Sequence, residues 1–384
     1  MPIYGTRPEA IKFAPVVRML LDDDRFQTTI TVTGQHREML DQVNELFGLV
    51  PDHDLDIIRP RQTLVSIAAA TMTGLDRLLN EEKPDCILVQ GDTSTAFVAA
   101  LTAFYHQIPV VHLEAGLRSH DLSLPFPEEG NRKLLSQIAA LHLAPTPKSK
   151  QNLLADGVAE QNIVITGNSV IDALLFARNR PSDGAFEDPV LDGAIRRGGP
   201  ILLVTSHRRE NLNGGMERIG GALAEIAQRY PDLTIILPVH KNPAVREALL
   251  PPLVSHSNIV VTEPVQYMDF VRLLDASDIV LTDSGGIQEE APALGKPVLV
   301  MRESTERPEA VDYGVVELVG TSQAAIVAGV TRLIDSPEDY ERMSRSVNPY
   351  GDGRAAERTI AALAHMFHLG ERMPDFLPGE PSQE

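Results

Sequence analysis

Short apolar runs, rich in Val, Ile and Leu, recur along the chain and are separated by longer stretches with helical periodicity. These runs predict strands at Thr28–Thr33, Cys86–Val89, Val110–Leu113, Ile163–Thr166, Ile201–Thr205, Leu233–Val239, Ile259–Thr262, Ile279–Thr282 and Val298–Met301. Continuous apolar runs of this length are typical of strands buried on both faces of a parallel sheet. Because helical segments such as Thr63–Glu82 and Met216–Arg229 alternate with them, the pattern predicts a doubly wound α/β fold.

The predicted strands fall into two sets that divide near Gly167. A predicted helix, Val170–Arg178, and a loop-like stretch rich in Pro, Gly and Asp, Pro181–Gly199, lie ahead of the second set. We therefore predict two Rossmann-like domains with a cleft between them, residues 1–166 and 167–354. A C-terminal helix at about 355–373 is expected to pack back on the first domain.

Both ends of the chain depart from this pattern. The predicted first strand, Met1–Tyr4, is very short, so either it is clipped or the native start lies upstream. The final residues, Pro374–Glu384, are expected to form a loose polar tail.

The stretch Thr282–Glu290 carries the strongest local signal for a ligand. Its two glycines, Gly285 and Gly286, lie between a predicted strand and a predicted helix. Glycine tolerates positive φ and lets a ligand approach the backbone, and N–H groups at a helix start can seat a phosphate. Glu290 follows one turn later and could meet ribose hydroxyls. The alternative is an ordinary Gly-rich helix start, because short motifs are weak signals.

Polar residues also follow nearly every predicted strand, in both halves of the chain. They include Arg7, Gln35, His36, Asp92, Glu114, His207, His240 and Asp283. Ligands of open α/β sheets bind at the carboxyl ends of strands. A recurrence at so many strand ends favours a ligand site over scattered loop charges.

Three acids, Asp92, Glu114 and Glu128, are the candidate catalytic residues. Asp92 and Glu114 end consecutive predicted strands, so we expect them side by side, and Glu128 lies in a proline-stiffened loop. Clustered carboxylates suit general acid–base catalysis. The alternative for Asp92 is a cap on the helix that begins near Thr93.

Composition limits the partners and the chemistry. The 384 residues include 34 Lys and Arg against 53 Asp and Glu, a formal charge of −19. That charge disfavours nucleic acid and anionic membrane as partners. With one cysteine, Cys86, and no metal-ligand spacing, no metal is predicted. The sequence shows no secretory signal and no apolar run long enough to span a bilayer, so a cytoplasmic location is expected.

A series of ordered motifs gives the chain a family resemblance. They are Gly5-Thr6-Arg7-Pro8-Glu9-Ala10-Ile11-Lys12, Gln90-Gly91-Asp92-Thr93, His112-Leu113-Glu114-Ala115-Gly116-Leu117-Arg118, Pro127-Glu128-Glu129, His207-Arg208-Arg209-Glu210-Asn211, Asp283–Pro292 and Glu306-Arg307-Pro308-Glu309. The chain closely resembles the bacterial non-hydrolysing UDP-N-acetylglucosamine (UDP-GlcNAc) 2-epimerases, from Gly5 to Gly353.

This resemblance implies a GT-B-like fold and interconversion of UDP-GlcNAc with UDP-N-acetylmannosamine (UDP-ManNAc), which supplies ManNAc units for surface polysaccharide. In the family, UDP is eliminated across carbons 1 and 2 to give 2-acetamidoglucal and is then added back. The resemblance further implies a homodimer and a reaction without NAD, metal or other cofactor.

The resemblance also implies roles for individual residues. Asp92, Glu114 and Glu128 would form the acid–base set, without a decision on which removes the proton, and His207 would assist the departing diphosphate. The residues implied to bind UDP or substrate are Arg7, Lys12, Val265, Phe270, Ser284, Gly285, Gly286, Glu290 and Arg307. A second, allosteric UDP-GlcNAc site would involve Gln35, Glu38, Arg61, Arg208 and His240.

Three other functions stay open at this point. A UDP-sugar glycosyltransferase would share the fold, although neither an acceptor pocket nor a basic membrane-facing patch is evident. A hydrolysing epimerase would release free ManNAc. A UDP-sugar-binding module without activity is disfavoured by the three acids.

Overall fold

The computed structural model describes residues 1–34, 37–59, 62–181, 184–212 and 214–379. The strands are β1 (Ile3–Tyr4), β2 (Thr31–Val32), β3 (His53–Asp54), β4 (Ile87–Gln90), β5 (Val110–Leu113), β6 (Leu141–Ala144), β7 (Ile163–Ile165), β8 (Ile201–Thr205), β9 (Thr234–Pro238), β10 (Ile259–Thr262), β11 (Ile279–Thr282), β12 (Val298–Val300) and β13 (Val316–Leu318).

The helices are α1 (Arg7–Leu21), α2 (Arg37–Phe47), α3 (Leu64–Glu82), α4 (Ser94–Tyr105), α5 (Glu128–Ile138), α6 (Pro147–Ala155), α7 (Ser169–Arg178), α8 (Pro189–Arg196), α9 (Gly215–Arg229), α10 (Pro243–Leu249), α11 (Tyr267–Ala276), α12 (Ile287–Ala293), α13 (Pro308–Asp312), α14 (Gln323–Asp335), α15 (Pro337–Arg345) and α16 (Ala355–Met366). Across the described residues, none of them combines the length and the apolar character that a bilayer span requires.

The chain divides into two compact units. Unit 1 comprises Met1–Ala173 and Tyr350–Leu377, and unit 2 comprises Leu174–Pro349 and the stretch that begins at Pro378. The division therefore falls inside α7, and α16 packs against α1 in unit 1. The domain limits expected from the sequence, with a boundary at 166/167, stay a prediction.

Unit 1 contains parallel strands in the order β3-β2-β1 and β4-β5-β6-β7. A bridge between Pro2 and Leu88 links the two groups, so the order continues from β1 to β4. Leu75, Ala99 and Leu135 pack beneath β1 and β4 in the apolar core of this unit. The order reverses between β1 and β4, which is the point where Rossmann-like sheets bind their ligands.

Unit 2 contains a six-stranded parallel sheet in the order β10-β9-β8-β11-β12-β13. Counted from β8, this is the 3-2-1-4-5-6 order of the Rossmann fold, and it confirms the predicted α/β class. The apolar face of α9, with Ile219, Leu223 and Ile226, packs on the β-branched residues of the sheet. The order reverses between β8 and β11.

Four predicted strands, Val110–Leu113, Ile201–Thr205, Ile259–Thr262 and Ile279–Thr282, have the predicted bounds. In these four strands, the run of apolar and β-branched residues ends at the same residue as the hydrogen-bonded strand. Strands β3, β6 and β13 were not predicted. Two of them, His53–Asp54 and Val316–Leu318, are short and contain charged or titratable residues, so they carry little apolar signal.

Two predicted loop regions were wrong. Pro181–Gly199 contains α8, which begins because the Asp188 carboxylate accepts hydrogen bonds from the N–H groups of Val190 and Leu191. The tail is also not loose throughout, because Phe376 is buried and its N–H donates to the Ile165 carbonyl at 2.7 Å. The C-terminal helix ends at Met366, short of the expected residue 373.

Candidate active site

In unit 1, the predicted acids follow neighbouring strand ends. Gln90 of β4 pairs in register with Leu113 of β5, so Asp92 and Glu114 leave the sheet along the same edge. Gly91 lies between them with φ +68°, and a Cβ there would be 3.1 Å from the Glu114 Oε2 atom. Glycine at this position therefore satisfies both the backbone conformation and the close approach of the carboxylate.

Glu114 is held by donors from three parts of unit 1. Gln90 Nε2 donates to Oε2 at 2.7 Å, Asn168 Nδ2 donates to Oε1 at 3.0 Å, and the Lys12 ammonium forms an ion pair with Oε1. Glu114 itself has φ +60°, a conformation that is uncommon for a residue with a side chain. Strained backbone of this kind concentrates at functional sites.

Asp92 forms an ion pair with Arg132 of α5. Arg132 Nη2 lies 2.6 Å from Asp92 Oδ2, and Nε donates to the same oxygen at 2.8 Å. The cap on α4 is Thr93, whose hydroxyl accepts from the Ala96 N–H at 3.0 Å. The capping alternative for Asp92 is therefore wrong, and its carboxylate is directed at a cation.

Glu128 is the first residue of α5, and its neighbour Glu129 has a separate role. Among the described residues, nothing donates a hydrogen bond to the buried Oε2 atom of Glu128. Glu129 is fully buried and accepts from Arg132 Nη1 at 3.1 Å and from the N–H groups of Ser119 and His120. Glu129 thus anchors the segment after β5, whereas Glu128 retains an unused acceptor.

The first two turns of α1 carry the predicted basic residues of unit 1, Arg7 and Lys12. Thr6 caps this helix in a reciprocal pair with Glu9, and the Glu9 carboxylate also accepts from Thr93 Oγ1 at 2.6 Å. Burial raises the pKa of Glu9, although its hydrogen bonds oppose that shift. Arg7 begins the helix, and Lys12 lies against Glu114.

In unit 2, the candidate residues collect where the strand order reverses. Thr205 of β8 pairs in register with Thr282 of β11, and their hydroxyls lie 2.6 Å apart. His207 and Asp283 follow these strand ends, and His207 Nδ1 lies 3.1 Å from Asp283 Oδ1. From the sequence, Asp283 is a strand-end residue without an assigned role. The register of β8 and β11 places it beside His207.

Neither glycine after β11 has the positive φ that the sequence analysis considered, which corrects that part of the expectation. Gly286 has φ −63° and ψ −42°, and Gly285 is likewise outside the left-handed region. A Cβ on Gly285 would lie 2.6 Å from Arg307 Nη1 and 2.9 Å from Glu306 Oε1. The Arg307 and Glu306 side chains therefore occupy the space beside Gly285 and would have to shift for any larger residue there.

Arg307 and Glu290, the other predicted UDP contacts near the glycines, are both buried. Arg307 Nε donates to Glu289 and Nη1 donates to Glu306, so its guanidinium is fixed against the start of α12. Burial would raise the pKa of Glu306, but the charges of Arg307, Arg302 and Arg208 lower it overall. Val265 and Phe270 are half-buried, Val265 just ahead of α11 and Phe270 within it.

The predicted allosteric residues are described only in part. Arg208 Nη2 donates to Glu306 Oε1 at 3.1 Å, and the His240 ring stacks on His207 with centroids 6.0 Å apart. Gln35 and Arg61 lie outside the described residues, and so does the side chain of Glu38. The structure thus places two of these five residues beside groups of the predicted active site.

Sequence reasoning missed Arg132, Glu129 and Asn168. Arg132 follows Glu129 by three residues, a spacing that places both on one face of α5 and could have indicated the pair. Asn168 reaches Glu114 from 54 residues away, and no local pattern signals that contact.

Parallel sheets in Rossmann order, with charged side chains where the order reverses, define the class as a nucleotide-binding α/β protein of GT-B type. The solved structure of the glycotransferase of kitacinnamycin shares the fold alone, with 14% identity and a TM-score of 0.63 over 94% of this chain and 98% of that one.

The particular family is shown by closer comparisons. The family model described as UDP-N-acetylglucosamine 2-epimerase matches residues 18–364. A UDP-N-acetylglucosamine 2-epimerase of Yersinia pestis is 51% identical, over 94% of this chain and 97% of the relative. A crystal structure of the Neisseria meningitidis UDP-GlcNAc 2-epimerase bound to UDP-GlcNAc is 44% identical, with a TM-score of 0.87 over 95% and 99% of the two chains. The chain belongs to the UDP-N-acetylglucosamine 2-epimerase family, which confirms the predicted resemblance.

Proposed function

We propose that this protein interconverts UDP-GlcNAc and UDP-ManNAc without hydrolysis, by elimination of UDP and its re-addition. Support comes from the family and from one observation in particular: carboxylates at adjacent strand ends, Asp92 and Glu114, are each held by a cation in unit 1. Removal of a weakly acidic carbon-bound proton needs such positioned groups.

The proposed elimination moves one proton to the enzyme and one electron pair to UDP. A carboxylate of the set Asp92, Glu114 and Glu128 accepts the proton from carbon 2, and the electron pair of that C–H bond forms the double bond to carbon 1. The bond from carbon 1 to the diphosphate oxygen breaks, and its electron pair leaves with UDP. Re-addition reverses these steps after proton delivery to the opposite face of carbon 2, so two proton-carrying groups are needed.

Residues of unit 2 are proposed to bind UDP and to assist its departure. His207 assists the departing diphosphate, and Arg307 with the Ser284–Gly286 backbone binds it, since fixed cations and N–H groups stabilise developing negative charge. Glu290 contacts the ribose, Phe270 stacks on the uracil, and Val265 contacts UDP through its backbone. Within unit 1, Arg7 and Lys12 are the proposed cationic ligand residues. In the Neisseria relative, a bound UDP-GlcNAc shows that the fold accepts this ligand.

A homodimer and a second UDP-GlcNAc site are part of the proposal. The neighbouring exposed side chains of Phe104 and Tyr105 at the end of α4 support a dimer surface. Arg208 and His240 are the residues of the proposed second site whose side chains are described. The ion pair of Arg208 with Glu306, which also pairs with Arg307, gives that site a physical link to the UDP contacts.

Incubation with UDP-GlcNAc alone in deuterated water tests the proposed reaction. We expect UDP-ManNAc with deuterium at carbon 2 and little free sugar. Free ManNAc as the main product would assign the chain to hydrolysing epimerases. Absence of turnover at saturating UDP-GlcNAc, which would also fill the second site, would favour a glycosyltransferase or a binding module.

A further inference from the structure

The two oxygens of Asp283 have different partners. Oδ2 accepts hydrogen bonds from Ser206 Oγ at 2.8 Å, from the N–H groups of His207 and Arg208 at 3.0 Å each, and from Asn211 Nδ2 at 3.0 Å. Oδ1 faces the His207 ring, 3.1 Å from Nδ1, and also receives the His207 N–H at 3.1 Å. One oxygen therefore fixes the loop after β8, and the other meets the imidazole.

Asp283 is suited to remain a carboxylate. It is fully buried, which by itself would raise the pKa of Asp283, but the hydrogen bonds and charge of His207, with the loop donors, lower that pKa overall. An ionised carboxylate accepts and cannot donate. The ring nitrogen that faces Asp283 must then carry the proton.

The neighbouring histidine is arranged in the opposite way. Nδ1 of His240 accepts a hydrogen bond from the Asn242 N–H at 3.1 Å, so that nitrogen carries no proton. Burial is the main cause that lowers the pKa of His240, and the charges of His207 and Arg246 add to it. The two stacked rings therefore differ: His240 has a bare Nδ1, whereas His207 has its Nδ1 against a carboxylate.

We propose that Asp283 is a positioning residue for catalysis: it holds the proton on Nδ1 of His207 and so leaves Nε2 as the ring atom that meets the departing diphosphate. The ring is 44% exposed on its side chain, so its outer edge is open to a ligand. Asp283 faces this ring, and Arg246 acts on the neighbouring His240 ring that stacks on it. This inference rests on the proposed role of His207 in the epimerase reaction.

Asp283→Asn tests the proposal because the asparagine can keep the hydrogen bonds to Oδ2 that fix the loop and reverse the donor at the imidazole. The His207 N–H loses its contact with Oδ1 and keeps its bond to the Oδ2 position. With its oxygen at the Oδ2 position, it still accepts from Ser206, Asn211 and the backbone. Its NH2 group then replaces Oδ1 and donates to Nδ1 of His207, which forces the proton to Nε2. A buried carboxylate–imidazole pair in serine proteases responds to this substitution by adopting the wrong tautomer, with a loss of about 10⁴ in kcat.

The first readout needs no substrate. Histidine labelled with ¹⁵N, with His207 assigned by its loss in His207→Ala, reports which ring nitrogen carries the proton. We expect the Nδ1–H form in the wild type, the Nε2–H form in Asp283→Asn, and the Nδ1–H form in the control Ser206→Ala, which removes a loop bond to Oδ2. Nε2–H in the wild type, or no change in Asp283→Asn, overturns the proposal.

The second readout is a double-mutant cycle on kcat for UDP-GlcNAc. We expect Asp283→Asn to lower kcat by about 10²–10³-fold in the wild type and by no more than about threefold in the His207→Ala background. Ser206→Ala is expected to stay within about threefold of the wild type. An equal loss in both backgrounds overturns the proposal, since Asp283 would then act apart from His207. If the proposed function is wrong, the wild-type protein will show no deuterium exchange at carbon 2. The expected Nδ1–H and Nε2–H forms of His207 can still be observed in that case, so the two failures are distinguishable.

Discussion

Arg132 lies with Nη2 2.6 Å from Asp92 Oδ2 and, through Nη1, 3.1 Å from Oε2 of the fully buried Glu129. The guanidinium thus joins a candidate catalytic acid to an anchored one. A planar fork of this kind fixes direction as well as distance. Asn131 Nδ2 adds a bond of 2.8 Å to the Asp92 carbonyl, so α5 holds both the backbone and the side chain of Asp92.

Asp92→Asn is expected to abolish turnover and to leave UDP binding nearly intact. The amide has almost the same shape but can neither accept nor deliver the substrate proton, and loss of a general acid or base costs about 10²–10⁴-fold. Turnover is measured by proton exchange at carbon 2, and UDP affinity by calorimetry. Wild-type turnover in this variant would exclude a catalytic role for Asp92.

Arg132→Lys is expected to lower kcat by about 10–100-fold with little change in UDP affinity, because an ammonium cannot contact Asp92 and Glu129 together. Arg358→Lys is a matched control, since Arg358 is another buried arginine of unit 1 that binds a carboxylate, Asp352, through two nitrogens. The control should lose thermal stability and keep kcat. Equal kcat losses in both variants would show that general destabilisation is the cause.

Gly285→Ala is expected to weaken UDP binding by at least about tenfold, or ~1.4 kcal/mol. The added Cβ would lie 2.6 Å from Arg307 Nη1 and would displace this guanidinium. Gly286→Ala is the comparison, because its Cβ would meet only Glu290 Oε2, at an ordinary 3.5 Å, and its backbone is already helical. Calorimetric titration with UDP measures both. A larger loss in Gly286→Ala would mean that contact with the ligand, and not Arg307, sets the effect.

The sequence predicted those parts of the site that depend on strand ends. Asp92 and Glu114 could be placed side by side because apolar runs mark β4 and β5, and parallel strands end along one edge. Thr63 could be placed at the start of α3, and it is the N-cap of that helix. The residues that form such a local pattern lie within a few positions of the helix or strand end that they determine.

The remaining contacts could not be predicted because distant elements supply them. The sequence predicts that Lys12 binds UDP or substrate, but it does not indicate the ion pair with Glu114, 102 residues away. Likewise, the sequence explains Gly285 by positive φ or by close approach of a ligand, and it does not indicate that Arg307, from beyond β12, approaches this position. Side-chain partners of this kind follow from tertiary packing, which a pattern of apolar and polar residues does not encode.

Asp172 is expected to make the stability of unit 1 fall as pH rises through the acidic range. Burial raises the pKa of Asp172 to about 6, and the N–H groups of Ala355 and Ala356 only partly oppose this shift. The folded state therefore binds this proton more tightly than the unfolded state. The associated stability is fully present below the unfolded pKa near 3.8 and is lost as pH rises through about 6, by at most about 3 kcal/mol.

Asp172→Asn removes this titration, so its urea midpoint should gain on that of the wild type between about pH 4 and 6. Asp352→Asn is the opposite control, because hydrogen bonds from Arg358 lower the pKa of Asp352, and the stability it contributes is lost as pH falls. As pH decreases, the urea midpoint of Asp352→Asn should therefore rise relative to that of the wild type. If instead the curves of wild type and Asp172→Asn run parallel across this range, Asp172 titrates alike in the folded and unfolded chain, and burial does not raise its pKa.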